Sequence, residues 1–239
     1  MEFHDYSLNL AITFINFGYY SIKTFANSLI HSLPYMKIIA VGRNYAEHAK
    51  ELNNPVPTTN PVIFMKPDTA LLKDNKPFYH PDFSDDIHHE IEIVLKVCKE
   101  GKHINEKFAA NYFDEIALGV DFTARDIQQR HKEKGLPWEL AKAFDGSAPI
   151  SNFLPKSQFA DLYDLNFKLD INGENRQTGT TKDLLFKFEF IIAFVSKYIT
   201  LKKGDLIFTG TPQGVAKVNV GDRLEGYLQE EKLLDFYVK

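Results

Sequence analysis

The chain has 239 residues, 44% of them hydrophobic, which is enough for one sizeable core. Its formal net charge of -4, with no uninterrupted Lys/Arg cluster, excludes a nucleic-acid footprint, and its single cysteine, Cys98, excludes an internal disulfide. No apolar run reaches transmembrane length, so the expected setting is reducing and cytoplasmic, without membrane or nucleic-acid partners.

Residues 1–35 are rich in Phe, Tyr, Asn and Ser without clear periodicity. Glu2 and Asp5 stand where a secretory signal opens with basic residues. Met36 then starts a clean strand-like run, Lys37-Ile38-Ile39-Ala40-Val41-Gly42. Two expectations follow: residues 1–35 are a peripheral arm, or Met36 is the physiological start; residues 36–239 form the catalytic domain. After Gly42, a short helix is predicted with Asn44 as N-cap and an end before Pro55. His48 and Glu51 lie three apart on one face of it. They are either a solvated pair or a carboxylate-oriented imidazole able to act as a general base. Residues 61–67 read as a strand closed by proline, on which Lys66 is either an ordinary edge lysine or a cation lining a cleft.

The run His88-His89-Glu90-Ile91-Glu92-Ile93-Val94-Leu95 organises the chain. Alternation in an extended strand puts Glu90 and Glu92 on one face, about 7 Å apart, and Ile91, Ile93 and Leu95 on the other. A half-buried strand with a solvated polar face has the same pattern. Glu is disfavoured in strands, however, and Asp121 at the end of the apolar run 116–120 supplies a third carboxylate. Three hard oxygen donors without cysteine favour Mg²⁺ or Mn²⁺, with Ca²⁺ next and zinc disfavoured.

Downstream, Thr123-Ala124-Arg125-Asp126 resembles a capping box, predicting a helix to about Lys134 with Gly135 as its stop. Arg125 and Gln128 share a face of it. Lys142 sits among apolar neighbours, either snorkelling or holding a carboxylate or enolate near a metal. The last third reads as β-hairpins, one of them turning at Asn172-Gly173, interrupted by one amphipathic helix over about 181–200. The Gly/Thr loop Thr209-Gly210-Thr211-Pro212 lacks a Walker lysine, so its glycine serves close backbone approach. Many strands, few helices and Gly/Pro corners indicate a β-rich α+β fold.

The ordered segments Val41-Gly42-Arg43-Asn44-Tyr45, His48 with Glu51, Phe64-Met65-Lys66-Pro67, His88-His89-Glu90-Ile91-Glu92, Asp121-Phe122-Thr123-Ala124-Arg125-Asp126, Gly135-Leu136-Pro137-Trp138, Ala141-Lys142 and Phe208-Thr209-Gly210-Thr211-Pro212 resemble the fumarylacetoacetate hydrolase family. The acylpyruvase and oxaloacetate decarboxylase branch is the nearest. The resemblance implies a mixed β-sandwich roll, a homodimer, and a divalent metal, Mg²⁺ or Mn²⁺, on Glu90, Glu92 and Asp121. It further implies a catalytic set of His48, Glu51 and Lys142, and a pocket drawn from Arg43, Lys66, Arg125, Gln128, Thr209, Gly210 and Thr211. The first expectation for function is C–C bond hydrolysis of acylpyruvates, a class of 2-keto acids, through a pyruvate enolate. The alternatives are oxaloacetate decarboxylation, keto–enol tautomerisation or dienoate isomerisation on the same site, and a non-catalytic keto-acid-binding dimer.

Overall fold

A computed structural model describes residues 36–239, so the expected arm or early start over residues 1–35 lies outside the described residues. In chain order the strands are β1 (Ile38–Val41), β2 (Ile63–Lys66), β3 (Leu71–Leu72), β4 (Ile87–His89), β5 (Ile91–Val97), β6 (Phe113–Val120), β7 (Thr123–Ala124), β8 (Ala148–Pro149), β9 (Leu154–Pro155), β10 (Asn166–Ile171), β11 (Glu174–Thr180), β12 (Leu206–Phe208), β13 (Ala216–Lys217), β14 (Arg223–Leu228) and β15 (Glu231–Tyr237). The α-helices among the described residues are α1 (Ala46–Glu51), α2 (Glu106–Ala109), α3 (Arg125–Lys134), α4 (Glu139–Lys142) and α5 (Phe188–Tyr198).

A six-stranded mixed sheet in the order β2-β1-β12-β5-β6-β9 forms the centre, with β1 parallel to β12 and the other pairs antiparallel. A four-stranded antiparallel sheet, β11-β10-β14-β15, a three-stranded one, β13-β4-β7, and a parallel pair, β3-β8, complete the β-rich α+β architecture expected from the strand and turn signals. Strand periodicity explains how the central sheet is buried on both sides. Ile39 and Val41 of β1, Ile91, Ile93 and Leu95 of β5, and Ile116 and Leu118 of β6 enter one large apolar cluster. Phe167, Leu169, Leu224, Leu234 and Phe236 of the four-stranded sheet and Ile191, Ile192 and Val195 of α5 meet them there. The intervening residues Ile38, Ala40, Val94, Ala117, Leu206 and Phe208 enter a second, smaller cluster on the opposite face. Each fully buried aliphatic side chain stabilises the fold by about 1.5–3 kcal/mol. The face expected to be either solvated or metal-binding is therefore interior.

The hairpin at Asn172-Gly173 forms as predicted, with φ of 54° and 80° at its two central residues, the conformation a tight β10–β11 turn requires. Gly135 ends α3 in the left-handed conformation, also as predicted. Three local expectations are corrected. Asn44 caps no helix: Tyr45 precedes α1, and the Asn44 amide instead donates to the carbonyls of Phe186 (3.0 Å) and Thr209 (2.8 Å). The helix expected over 181–200 begins only at Phe188, because Asn44 accepts hydrogen bonds from the Leu185 and Phe186 amides (2.9 and 2.6 Å) and holds that stretch extended. The Thr123–Asp126 capping box does not form. Thr123 belongs to β7, and Asp126 accepts instead from Ser84 Oγ (2.7 Å). Cys98 lies one residue past β5 and is half-buried.

Candidate metal centre

The chain changes sheets at Glu90. β4 ends at His89 in the three-stranded sheet and β5 begins at Ile91 in the six-stranded one. The β5–β6 ladder pairs Ile91 with Val120, and one step further the Asp121 amide donates to the Glu90 carbonyl (2.8 Å). Glu90 and Asp121 are therefore cross-strand neighbours at the ladder's end. Glu92, two residues along the same face, opposes Gly119, where a Cβ would lie 2.5 Å from the Phe208 ring. Alternation and register thus bring the three carboxylates together. Their ligand oxygens lie within 4.8 Å of one another, and all three residues are buried.

Two lysines enter this cluster from elsewhere in the chain. Lys142, at the end of α4, donates to Glu90 Oε2 (2.8 Å), Asp121 Oδ2 (2.7 Å) and Thr123 Oγ1 (2.5 Å). Lys66 lies 2.7 Å from Asp121 Oδ1, but its hydrogen bonds go to the Lys142, Phe122 and Ser147 carbonyls and to Ser147 Oγ (2.9 Å). Neither lysine snorkels; both are 2% exposed. Arg125 pairs with Glu90 Oε1 and donates to Gln128 Oε1 (2.7 Å). Burial works against charge on Glu90, yet Lys142 and Arg125 outweigh it and hold this carboxyl well below the usual range. Glu92 has no such cation. Burial, then Asp121 and Glu90, push it well above the usual range, and the Gly210 amide (2.7 Å) only partly offsets them. Burial lowers Lys142, but Asp121 and Glu90 overcome that and raise it, so this ammonium stays charged at neutral pH.

This donor set fits a divalent cation. Glu92 is pressed towards its neutral form for lack of a positive partner, in a buried cluster where its ligand oxygen and those of Glu90 and Asp121 lie within 4.8 Å of one another. A hard cation satisfies that surplus of acceptors, and oxygen-only ligation suits Mg²⁺ or Mn²⁺.

A narrow cleft opens above the cluster, lined by Gly42, Arg43, His48, Leu52, Asn54, Glu90, Arg125, Gln128, Lys132, Trp138 and Lys142. His48 is buried, and its Nδ1 lies 3.2 Å from Glu51 Oε2. Glu51, whose side chain is 31% exposed, accepts from the Gly214 amide (2.9 Å). Burial raises the Glu51 carboxyl, but His48 and Gly214 outweigh it and lower it. Of the expected pocket residues, Arg43, Arg125 and Gln128 line the cleft. Lys66, Thr209, Gly210 and Thr211 do not: Lys66 props Asp121 from beneath, Thr209 and Thr211 hydroxyls donate to the Ile93 and Ile91 carbonyls (both 2.8 Å), and Gly210 serves Glu92.

The family model described as Fumarylacetoacetate (FAA) hydrolase C-terminal matches residues 37–233. The chain belongs to the fumarylacetoacetate hydrolase family. Its relatives in that family include mouse "Oxaloacetate tautomerase FAHD1, mitochondrial", 44% identical over 84% of this chain and 91% of that protein. Another is "Oxaloacetate tautomerase YcgM" of Escherichia coli K12, 41% identical over 80% of this chain and 87% of that protein. Among solved structures of the family, fumarylpyruvate hydrolase from Pseudomonas aeruginosa in complex with Mn²⁺ and pyruvate superposes with a TM-score of 0.81 at 35% identity, covering 86% of this chain and 90% of the other. The mouse relative's name specifies a mitochondrial location and the bacterial one none, so a cytoplasmic setting does not pass with the family. Among the described residues no helix is long and apolar enough to cross a membrane.

Sequence reasoning passed over Lys132, Asn54 and Gln177. Lys132 carried a usable signal, since residues 125, 128 and 132 fall on one face of a helix. Gln177 carried none: it lies 88 residues from His89, to which it is bonded.

Proposed function

We propose that this chain is a divalent-metal-dependent oxaloacetate keto–enol tautomerase, with Mg²⁺ as the physiological ion. The observation that carries the reading is the excess of positive charge at the site. The three carboxylates are matched by Lys66, Lys142 and Arg125. A divalent cation, with Arg43 and Lys132 lining the cleft and no acid paired to either among the described residues, leaves the site positive, which suits a dianion such as oxaloacetate. The tautomerase names of the mouse and bacterial relatives support the same reading.

A cation held by Glu90, Glu92 and Asp121 supplies Lewis-acid stabilisation of negative charge on the substrate's keto oxygen. The chain's own residues provide the rest. With Nδ1 turned to Glu51, His48 has Nε2 left to take the proton that leaves C3, as the electron pair moves into the C2–C3 bond and charge gathers on the C2 oxygen. Lys142 is fixed as an ammonium by Glu90 and Asp121, with its three N–H groups spent on Glu90, Asp121 and Thr123, so it supplies positive charge beside that oxygen and leaves the base role to His48. Return of the proton to oxygen gives the enol, and the reverse sequence gives the keto form. Arg43 and the Gln128 amide line the cleft and are the groups assigned to the substrate's carboxylate oxygens, while Arg125 stays with Glu90 and orients Gln128.

Acylpyruvate hydrolysis is the second reading. It is favoured by the same His48–Glu51 pair, which can also activate a water, and by the fumarylpyruvate hydrolase relative in complex with pyruvate. The test is the decay of the enol absorbance of oxaloacetate with purified protein and Mg²⁺. Acceleration over Mg²⁺-containing buffer, lost in His48→Ala, is expected; a rate no faster than buffer, alongside rapid loss of acetylpyruvate, would replace the first reading with the second.

A further inference from the structure

Two cations on the outer wall of the cleft are left without an acid. Arg125, Gln128 and Lys132 stand at the first, fourth and eighth positions of α3 and line the cleft together, which their shared helical face explains. Arg125 is committed to Glu90, and Lys142 to Glu90 and Asp121. Lys132 and Arg43 are not so engaged. Both donate to one neutral oxygen, Asn54 Oδ1, at 2.9 and 3.4 Å, and among the described residues neither has a carboxylate within salt-bridge distance. Burial, then the neighbouring Arg43 and Arg125, lowers Lys132, and burial lowers Arg43. Like charges held at one oxygen repel, and they remain poised only for an anion that enters between them.

We infer that Lys132, positioned by Asn54 beside Arg43, is a specificity-determining residue that binds the terminal carboxylate of a 2-keto dicarboxylate and so selects oxaloacetate over acylpyruvates of the same length. The inference rests on the tautomerase reading and adds the residue that decides between its substrate class and the runner-up's. A 2-keto acid bound by its keto and adjacent carboxylate oxygens at the inner carboxylate–lysine cluster has its far end left for the outer wall. Oxaloacetate ends there in a carboxylate, and acetylpyruvate in a methyl ketone. The two differ at that end by an anionic oxygen against a methyl group. A charge-assisted bidentate contact recognises the first, and the second leaves Lys132 unpaired in a half-buried site.

The experiment compares the KM for oxaloacetate tautomerisation with the inhibition constant of acetylpyruvate in the same assay, for the unaltered chain, Lys132→Met and Lys132→Arg. Direct calorimetric titration of each compound into the Mg²⁺-loaded protein is run beside it. The unaltered chain is expected to prefer oxaloacetate; Lys132→Met is expected to reduce that preference about tenfold, chiefly through KM with little change in kcat, and Lys132→Arg to restore most of it. An unchanged preference in Lys132→Met with an unchanged unfolding midpoint, or equal weakening of both compounds, overturns the inference. If the unaltered chain fails to tautomerise oxaloacetate, the functional reading falls, and calorimetry still decides whether Lys132 reads the terminal carboxylate, by the same expected ratio.

Discussion

The two faces of the central sheet are made from the same strands and do opposite things. On one face Ile91, Ile93 and Leu95 join the four-stranded sheet and α5 in a continuous apolar core. On the other, beyond Val94 and Phe208, Glu92 lies with Glu90, Asp121, Lys66 and Lys142 in a buried cluster of charges. The first arrangement lowers the free energy of the fold whatever is bound. The second is held together by charge pairs whose desolvation offsets much of their attraction, so it yields little net stability until a cation and an anion arrive. A strand that alternates faces can thus separate what keeps the molecule folded from what makes it act.

The largest break in that contrast comes from Lys142→Met, which leaves Glu90 and Asp121 without their shared ammonium. It should cost about 3–5 kcal/mol in metal-free urea unfolding, with part of the loss recovered in Mg²⁺. Ile93→Ala, on the apolar face of the same strand, should cost about 2–4 kcal/mol. Here Mg²⁺ should recover nothing of the difference, and kcat per folded molecule should stay within a factor of two. A metal-dependent rescue of Ile93→Ala would mean that the faces are not separable.

Glu92→Gln sharpens the contrast in the other direction. Because the folded chain raises the Glu92 carboxyl, metal-free stability from this group is fully present below its ordinary value of 4.5 and is lost as pH rises through its higher folded value. Glu92→Gln removes that loss, so the metal-free variant should melt no lower than the unaltered chain at pH 7 while ceasing to respond to Mg²⁺. The unaltered chain should gain more melting temperature from Mg²⁺ at pH 8 than at pH 6, since the ion has less of a proton to displace at the higher pH. A smaller gain at pH 8 would count against Glu92 as a ligand.

The smallest effect lies outside both faces. Asp235, bonded to Arg223 (2.7 and 2.8 Å) and Lys232 (2.8 Å) on the outer hairpin, has its carboxyl held down at about 2 first by Arg223 and then by Lys232. Its contribution is present above the ordinary value of 3.8 and disappears as pH falls towards 2. The groups are largely solvated, so Asp235→Asn should cost under about 1 kcal/mol, and less in high salt.

How much of this was legible in the sequence follows from the range of the interactions. The Glu90–Glu92 alternation, the Asn172-Gly173 turn and the Gly135 stop depend on neighbours a few residues away, and the structure has them as read. The late start of α5 depends on Asn44, which bonds Phe186 from 142 residues away and overrides a helical pattern that is locally sound. Lys66 also escaped a local reading. Its strand ends in proline as a surface strand does, and only the fold places its ammonium beneath Asp121. In the site, the three carboxylates and the His48–Glu51 pair were legible from residue type and spacing, whereas the division of the expected pocket residues into those that line the cleft and those that brace the strands required the packing of the β12 loop. Lys132 was readable in principle, four residues or about one helical turn after Gln128, and was hidden among the charges of an ordinary helix end.

Gln177 has a consequence beyond its own strand. Its side-chain oxygen accepts from the Ile91 amide (3.0 Å) and meets His89 Nδ1 (2.9 Å), while its amide donates to Thr211 Oγ1 and the Pro212 carbonyl (both 2.9 Å). One amide rivets the β10–β11 hairpin to the strand on either side of Glu90 and to the loop that braces Glu92. Ion affinity is therefore a remote gauge of how well that hairpin is seated: damage at its far turn, well away from any ligand oxygen, reaches the cation through a single side chain.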